Sequence, residues 1–360
     1  MMDFGGTSRR FQPQMTPRKL RFLFCLRGDR TRASSRVRGY WIAEELERLG
    51  HECTVLETRQ RGNMLAYLRA LASHDVAIFQ KRTGRRDPLM VQIARSLRVR
   101  SLYDIDDLPR QEVDGKTRLM LSLVDGVLAG SPELAEFART LNKDVTLLPS
   151  GILLDNYPLV PLDRQEKVPC IGWIGNGADY ADDLIKLLRP PLVALASRRP
   201  IHFKIVGACG EERLHTAFRD IPGLSAEIID QIDWGNPASV AAEIAEFDIG
   251  VYPLLDTEFN RHKCGFKALE YMASGLPVVA SPVGALAEMI TEDVGFASRA
   301  PDAWLHALDR LSADPGLRRR LGHAGRRMVE RRYSTRTLAR SILTSCGAQQ
   351  ETSKVTPAFA

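Results

Sequence analysis

The sequence predicts an α/β protein built from two doubly wound domains, each with a parallel sheet covered by helices on both faces. Its 360 residues exceed what one ordinary hydrophobic core holds. Short apolar runs alternate with helix-length amphipathic segments. This alternation stops at a proline-rich stretch and then starts again. We expect the two domains to face each other across a cleft, because open parallel sheets bind ligands at the carboxyl ends of their strands.

The first domain is expected to span residues 19–149. RFLFCLR (21–27) is typical of a buried strand, and SSRVRGYWIAEELERLG (34–50) follows with apolar residues at helical spacing and a glycine stop. Four further strands are predicted at TVLE, DVAIFQ, SLYDID and GVLAG. The irregular stretch LLPSGILLDNYPLVPLDRQEKVP then indicates a domain junction.

The second domain is expected to span residues 150–345. Strands are predicted at CIGWIG, IHFKIVG, SAEIID, DIGVYP and PVVAS, and helices from about residue 181, near 238–246 and over 264–274. The arginine-rich stretch 301–345 is predicted to be helical and to belong to this domain. We expect residues 1–18 to be a disordered leader, because no apolar stretch follows their charges, and residues 346–360 to be a disordered tail.

Composition and charge indicate the class of protein but do not identify its binding partner. The chain has 44% hydrophobic residues and no run of about 18 apolar residues, which is typical of a globular protein without a membrane-spanning helix. The net charge of +6 comes from arginines that are dense in the first hundred residues. These arginines are consistent with a solvent-exposed surface, with binding of a phosphorylated small molecule or with attraction to an anionic membrane. No nucleic-acid-binding motif accompanies them, so nucleic acid is not expected as a partner.

The cysteines and glycine-rich loops favour no metal and no cofactor. None of the six cysteines has C-x-x-C spacing, so neither a zinc site nor a disulfide framework is indicated. We therefore expect reduced thiols in a cytoplasmic protein, with peripheral contact at the inner face of the membrane as a further option. GNGADY and VGACG lack a full dinucleotide fingerprint, and there is no P-loop.

The stretch HKCGFKALEYMASGLPVVASPVG (262–284) predicts an anion-binding site. A helix over 264–274 points free N–H groups at the loop that holds Lys263. Glu270 lies two turns further, where a carboxylate accepts hydrogen bonds from a diol such as ribose. Gly284 opens a second helix and lets backbone approach an anion closely. In the alternative interpretation the lysines are surface charges and Glu270 pairs with Lys267 at i,i+3.

The segment FDIGVYPLLDTEFNRHKCGFKALEYMASGLPVVASPVGALAEMI resembles the nucleotide-sugar-binding core of GT-B glycosyltransferases, specifically the retaining glycosyltransferase family 4 group. SSRVRGYWIAEELERLGHECTVLE, VLAGSPELAEFAR, LPSGILLDNY and CIGWIG resemble other parts of that group. The resemblance covers roughly residues 20 to 340. It implies a GT-B architecture and transfer from a nucleoside-diphosphate sugar, with retained configuration and without a metal.

The resemblance also assigns residues to the donor. Glu270 matches the second Glu of the E-x7-E motif, which typically binds the nucleotide ribose, and Lys263 matches a basic residue that faces the diphosphate. Backbone amides are expected from Gly284, Ala285 and Leu286. The first loop of the second domain, with Gly175 and Asn176, is expected to face the donor across the cleft.

Three departures from the family pattern accompany these matches. His262 replaces the first Glu of the motif, and GNGADYADD is acidic where a basic pair commonly follows the first strand of the second domain. In YDIDDLP, Asp106 takes the place of a His. We expect Lys263, His262 and Asp106 to be the catalytic group. YDIDDLP also allows a second interpretation, a D-x-D metal site, which is less favoured than a contact to the acceptor or a helix terminus.

The acceptor is expected to bind the first domain, where Arg36 and Arg38 at the start of the first helix would meet an acidic acceptor or a membrane. Lipid-linked, polysaccharide and small-molecule acceptors all remain open. Cys264 is expected to be an inert thiol, because a catalytic nucleophile needs a base opposed to it. The alternatives to a transferase are a non-catalytic nucleotide-sugar-binding scaffold and a GT-B epimerase or phosphorylase.

Overall fold

The computed structural model describes residues 18–57, 64–106, 115–161 and 168–347. Most of the expected leader and tail lie outside these ranges, as does Asp107 of YDIDDLP. The described residues form two parallel six-stranded sheets, each with helices on its faces. This confirms the predicted fold class of two doubly wound α/β domains. Within the described residues, no helix is long and apolar enough to cross a membrane.

The first sheet has the strand order β2-β1-β3-β4-β5-β6. Its central strands are apolar and buried on both faces, as expected for a covered parallel sheet. Strand β6 was not predicted, because it is three half-buried residues long and lies next to the irregular junction. The strands are β1 (Arg21–Leu26), β2 (Glu52–Glu57), β3 (Val76–Gln80), β4 (Arg100–Ile105), β5 (Gly126–Ala129) and β6 (Val145–Leu147).

The first helical region contains a π-helical turn over Arg36–Tyr40, between α1 (Ala33–Ser35) and α2 (Trp41–Arg48). Helices α3 to α6 pack on the opposite face of the sheet from α2, as the two separate apolar clusters of this domain show. The helices of this second layer are α3 (Met64–Ala72), α4 (Asp87–Ser96), α5 (Gly115–Leu123) and α6 (Pro132–Arg139).

The second sheet has the order β12-β11-β10-β7-β8-β9. Strand β12 and helix α8 were not predicted, and the helix expected after Gly284 is a single turn, α12. The strands are β7 (Cys170–Ile174), β8 (Ile201–Val206), β9 (Leu224–Ile229), β10 (Ile249–Tyr252), β11 (Val278–Ala280) and β12 (Gly295–Ala297). The helices are α7 (Gly177–Ala196), α8 (Glu212–Phe218), α9 (Pro237–Ile244), α10 (Glu258–Arg261), α11 (Phe266–Ala273), α12 (Leu286–Met289), α13 (Pro301–Ala313) and α14 (Pro315–Met328).

The last helix, α15 (Thr335–Ser345), returns to the first domain. Its residues Leu338 and Ile342 are buried in the same apolar cluster as Phe22 of β1. We expected residues 150–345 to form the second domain, but α15 completes the core of the first. The chain passes between the domains twice, near Ile152 and again at 333–335, and the two segments are hydrogen-bonded to each other. The Ile152 amide donates to the Tyr333 carbonyl at 2.8 Å, and the Thr335 amide donates to the Ile152 carbonyl at 3.0 Å.

Candidate functional site

The predicted anion site lies at the carboxyl edge of the second sheet, where α10 and α11 follow β10. Thr257 caps α10 by accepting from the Asn260 amide, and the Asn260 side chain donates to Asp183 at 3.0 Å. Gly265, at φ +73°, reverses the chain immediately before α11. The helix therefore starts at Phe266, two residues later than predicted, and its free amides point at the loop that holds Lys263.

Two lysines converge on a set of aromatic rings at this helix start. The Lys263 Nζ lies 4.0 Å from the ring centroid of Phe259, and the Lys267 Nζ lies 3.9 Å from that of Tyr180. Burial would raise the pKa of the Tyr180 hydroxyl, but Lys267 and Lys263 outweigh it and lower that pKa. The arrangement holds two ammonium groups over π-faces and offers concentrated positive charge to an anion.

Lys267 was not predicted as a site residue; it entered only the alternative interpretation, as a surface charge paired with Glu270. The structure brings it against the loop after β7: a Cβ placed on Gly175 would lie 2.3 Å from the Lys267 Cε. That loop is the GNGADYADD segment, which is acidic where the family pattern commonly has a basic pair. The place of Lys267 in the first turn of the helix, beside the predicted anion site, is the signal that could have identified the second lysine.

The Glu270 side chain is largely buried at this edge of the sheet. It is 8% exposed, and its Oε1 accepts a hydrogen bond of 2.8 Å from the hydroxyl of Tyr157 in the interdomain connection. Burial raises the pKa of the Glu270 carboxyl to about 7, although the Tyr157 hydrogen bond, Lys267 and Arg36 each lower it. The carboxyl thus changes charge near neutral pH.

Arg36 lies at this carboxyl and not on an acceptor surface. Its guanidinium interacts electrostatically with Tyr157, Glu270 and Asp233, and burial lowers its pKa. The residue is 8% exposed, and its Nη1 donates to the Arg30 carbonyl at 2.9 Å. Among the described residues its buried Nε has no hydrogen-bond partner. Arg36, a residue of the first domain, therefore lies within electrostatic range of Glu270 in the second.

Arg38 is unavailable to an acceptor or a membrane, contrary to the sequence expectation. Its side chain is buried and forms an ion pair of 2.6 Å with Asp104, and its Nη1 donates to the Leu148 carbonyl at 2.8 Å. Burial lowers the pKa of Arg38, but Asp104 outweighs this effect and raises it. The π-helical turn lets Arg36 and Arg38 both point inward, one to the cleft and one to the sheet.

Asp106 lies at the end of β4 and forms an ion pair of 3.0 Å with Lys81. Burial raises the pKa of this carboxyl, but Lys81 and Arg38 outweigh it, so the pKa is lowered and the group is held ionised. Lys81 adopts a left-handed backbone conformation, φ +48°, which is costly for a non-glycine residue. Each carboxylate of the D-x-D pair thus has a cationic partner, Arg38 for Asp104 and Lys81 for Asp106. Over the described ranges, no group of three or more metal-ligating side chains occurs.

The backbone donors expected near Gly284 are only partly available. Gly284 has φ +56°, and a Cβ there would lie 2.3 Å from the Arg261 carbonyl oxygen, so close packing already requires glycine. The Leu286 amide donates to the Val283 carbonyl at 3.3 Å, and its side chain is fully buried. Leu286 is therefore not a free donor, while Ala285 remains at the start of the one-turn helix α12.

The remaining predicted residues lie around the same edge. Asn176 is exposed before α7, and its amide donates to Asp179 at 3.0 Å. His262 ends α10 and is half-buried. The Sγ of Cys264 accepts a hydrogen bond from Ser150 of the interdomain connection at 3.3 Å. The structure thus brings Lys263, Glu270, Gly175 and Asn176 to one edge of the second sheet, with Arg36 reaching it from the first domain.

Solved structures share this architecture over almost the whole chain. Sucrose-phosphate synthase from Thermosynechococcus elongatus is similar at a TM-score of 0.62 and 18% identity, covering 91% of this chain and 98% of that one. HepE of Anabaena in complex with UDP is similar at a TM-score of 0.67 and 13% identity, covering 92% and 100%. This chain has the GT-B glycosyltransferase fold. A glycosyltransferase from Rickettsia africae is similar in the same way, at a TM-score of 0.67 and 13% identity, covering 93% and 100%.

Sequence comparison finds similarity to glycosyltransferases. Residues 167–314 match the family described as Glycosyl transferases group 1. The D-inositol 3-phosphate glycosyltransferase of Xylanimonas cellulosilytica is 28% identical over 255 residues, which is 65% of this chain. The match spans 59% of that relative's length. The segment matched to the family contains β7 to α13, and therefore Lys263, Lys267 and Glu270.

Proposed function

We propose that the protein is a glycosyltransferase that moves a sugar from a nucleoside-diphosphate sugar to an acceptor hydroxyl. The observation that carries the proposal is the pairing of a buried carboxyl, Glu270, with two lysines at the start of its own helix, within the segment that matches the group 1 family. The similarity to HepE, which was solved with UDP, supports a nucleotide donor.

In this proposal the donor lies along α11. Glu270 accepts hydrogen bonds from the ribose diol, with Tyr157 holding its other bond. The diphosphate lies at the helix start, where free amides, Lys263 and Lys267 meet negative charge. Charge increases on the diphosphate as the glycosidic bond breaks, so cations fixed there stabilise the transition state more than the bound donor.

The acceptor occupies the first-domain side of the cleft in this proposal, near Asp106 and Lys81. A carboxyl with a lowered pKa is a weak base. This supports a reaction in which the departing phosphate, rather than Asp106, takes the acceptor proton, and in which the sugar keeps its configuration. Metal independence is proposed with it, since the lysines supply the charge that a divalent cation would otherwise provide.

The first experiment is calorimetric titration with UDP, ADP and GDP, followed by measurement of nucleoside diphosphate released from donor sugars with and without candidate acceptors. A transferase binds one nucleotide and releases diphosphate in an acceptor-dependent manner. Binding without release in any acceptor panel would favour the non-catalytic scaffold. Conversion of the donor sugar without an acceptor would favour the epimerase.

Two variants test whether Glu270 binds the donor. Glu270→Gln should abolish nucleotide binding, because its amide oxygen would accept from Tyr157 and its NH2 group, a donor, would face the diol in place of a carboxylate oxygen. Glu258→Gln is the matched control, because Glu258 lies exposed on the neighbouring α10 and should leave binding unchanged. Equal affinity in the wild type and Glu270→Gln would remove Glu270 from the donor site.

A further inference from the structure

The outer surface of the first domain carries exposed leucines and cations together. Helices α3, α4 and α5 lie on one face of the sheet, since Leu71, Met90 and Met120 share one apolar cluster there. Each of these helices also exposes a leucine to solvent, in the first turn of α3 and of α4 and in the middle of α5. The exposed fractions are 47% for Leu65, 50% for Leu89 and 45% for Leu119.

The exposed charges on α3, α4 and α5 all have one sign, whereas α6 of the same layer exposes Glu136. Over residues 64–98 and 115–124, every exposed charged side chain is an arginine or a lysine. The two carboxylates in these ranges are engaged: Asp87 is buried with Arg82, and Asp75 pairs with Arg18 and Arg21. The exposed cations are Arg69, Arg85, Arg86, Arg95, Arg98, Lys116 and Arg118.

The topology of the first sheet places the part of this surface around the helix starts at the cleft. In a parallel sheet each helix begins where its preceding strand ends, so the starts of α3, α4 and α5 lie at the carboxyl edge. Arg85 and Arg86 directly precede α4, and Lys116 lies in the first turn of α5. We call Leu65, Arg85, Arg86, Leu89, Lys116 and Leu119 the basic rim.

We propose that the basic rim docks the protein on an anionic lipid surface. Half-exposed leucines enter the headgroup region, while surrounding arginines and lysines are attracted to anionic lipids. A second copy of the chain fits less well, because a two-fold interface on this patch would set its cations against one another. The rim borders the cleft, so docking would bring the opening between the domains to the membrane surface. The inference goes beyond the proposed reaction and does not depend on it.

The test is flotation of the full chain with vesicles of phosphatidylcholine, alone or mixed with phosphatidylglycerol. The wild type should bind only the mixed vesicles, and added salt should weaken binding. Arg85→Gln/Arg86→Gln/Lys116→Gln should weaken it about a hundredfold, at about fivefold per charge. Leu89→Ser/Leu119→Ser should weaken it about tenfold or more, from the lost apolar contact.

The matched control is Leu97→Ser/Arg98→Gln. Leu97 is 45% exposed and lies at the other end of α4, away from the cleft edge. This double variant should bind vesicles like the wild type. Equal loss in this control, or no preference of the wild type for phosphatidylglycerol, would overturn the proposal. A leucine variant that changes only the molecular mass measured by light scattering would also overturn it and assign the rim to self-association.

UDP titration of each variant separates this inference from the proposed function. Rim variants should bind the nucleotide as the wild type does, because none of the six residues contacts the donor site. Failure of the wild type to bind any nucleotide would reject the proposed function and leave the vesicle result to decide on the rim.

Discussion

Replacing Glu270 with glutamine should make the protein more stable at alkaline pH while removing donor binding. The pKa of the Glu270 carboxyl rises from 4.5 to about 7 in the fold. Between these values the folded state binds more protons than the unfolded state, so the free energy of unfolding falls as pH rises through this window. A shift of about 2.5 units corresponds to roughly 3 kcal/mol once the carboxyl is fully ionised. Glutamine keeps the shape and an acceptor for Tyr157, but it never ionises.

Calorimetric unfolding of the two proteins across this pH range measures the effect. At about pH 4 their stabilities should agree, and at about pH 8 the Glu270→Gln variant should be more stable by roughly 3 kcal/mol. The exposed Glu258→Gln variant should show no such pH-dependent gain. If the advantage of Glu270→Gln is absent, or is the same at every pH, the reasoning that burial of an ionised carboxyl costs stability is refuted. A stabilised but inactive variant would also show that this carboxyl is retained for function.

Three further results should follow from the site, and a fourth from its proposed independence of metal. Lys263→Ala should lower kcat about 10²–10³-fold with a smaller change in donor Kd. Lys263→Arg should recover part of the lost kcat. A near-native kcat of Lys263→Ala at saturating donor would show that Lys263 is only a surface charge. Arg36→Gln should raise the Kd for nucleoside diphosphate, measured by titration, more than it raises the KM for the acceptor, measured by kinetics. A larger effect on the acceptor KM would assign Arg36 to the acceptor side. Asp104→Ala should cost about 3–5 kcal/mol in chemical unfolding, because it leaves Arg38 buried without its partner; a neutral effect would contradict the buried ion pair. Activity should survive EDTA, and loss that manganese restores would support the D-x-D interpretation.

The sequence predicted the elements whose pattern is set by burial. Strands such as β3 and β7 are continuous apolar runs, because a covered parallel sheet buries both faces, and such runs are recognisable without a structure. Strands β6 and β12 are three residues long and only partly buried, so they carry no comparable pattern. Helix α15 was predicted as a helix but assigned to the second domain, since an amphipathic pattern shows that a face is buried without showing which core receives it.

The site was predicted best where local sequence decides the geometry. Lys263 lies in the loop before α11 and Glu270 lies within α11, so local sequence is enough to place both at one edge of the second sheet. Arg36 and Arg38 depend on a π-helical turn, which changes the faces on which successive side chains lie. Helical periodicity therefore could not show that Arg38 would pair with Asp104, a contact between residues far apart in the chain. Nor could it show that Lys267 would lie against the loop after β7.

The return of α15 to the first domain has a consequence for synthesis on the ribosome. Phe22 and its neighbours on one face of the first sheet emerge early, but Leu338 and Ile342, which cover them, follow only after the whole second domain. At about 5–20 residues per second, synthesis of the roughly 300 residues between them takes about fifteen to sixty seconds. During that time α2 covers only part of this apolar face, and the nascent first domain presents the rest to chaperones and proteases. A chain interrupted before residue 335 would lack α15 and leave that part of the apolar face exposed. Finished and unfinished molecules would therefore differ in the apolar surface that they expose.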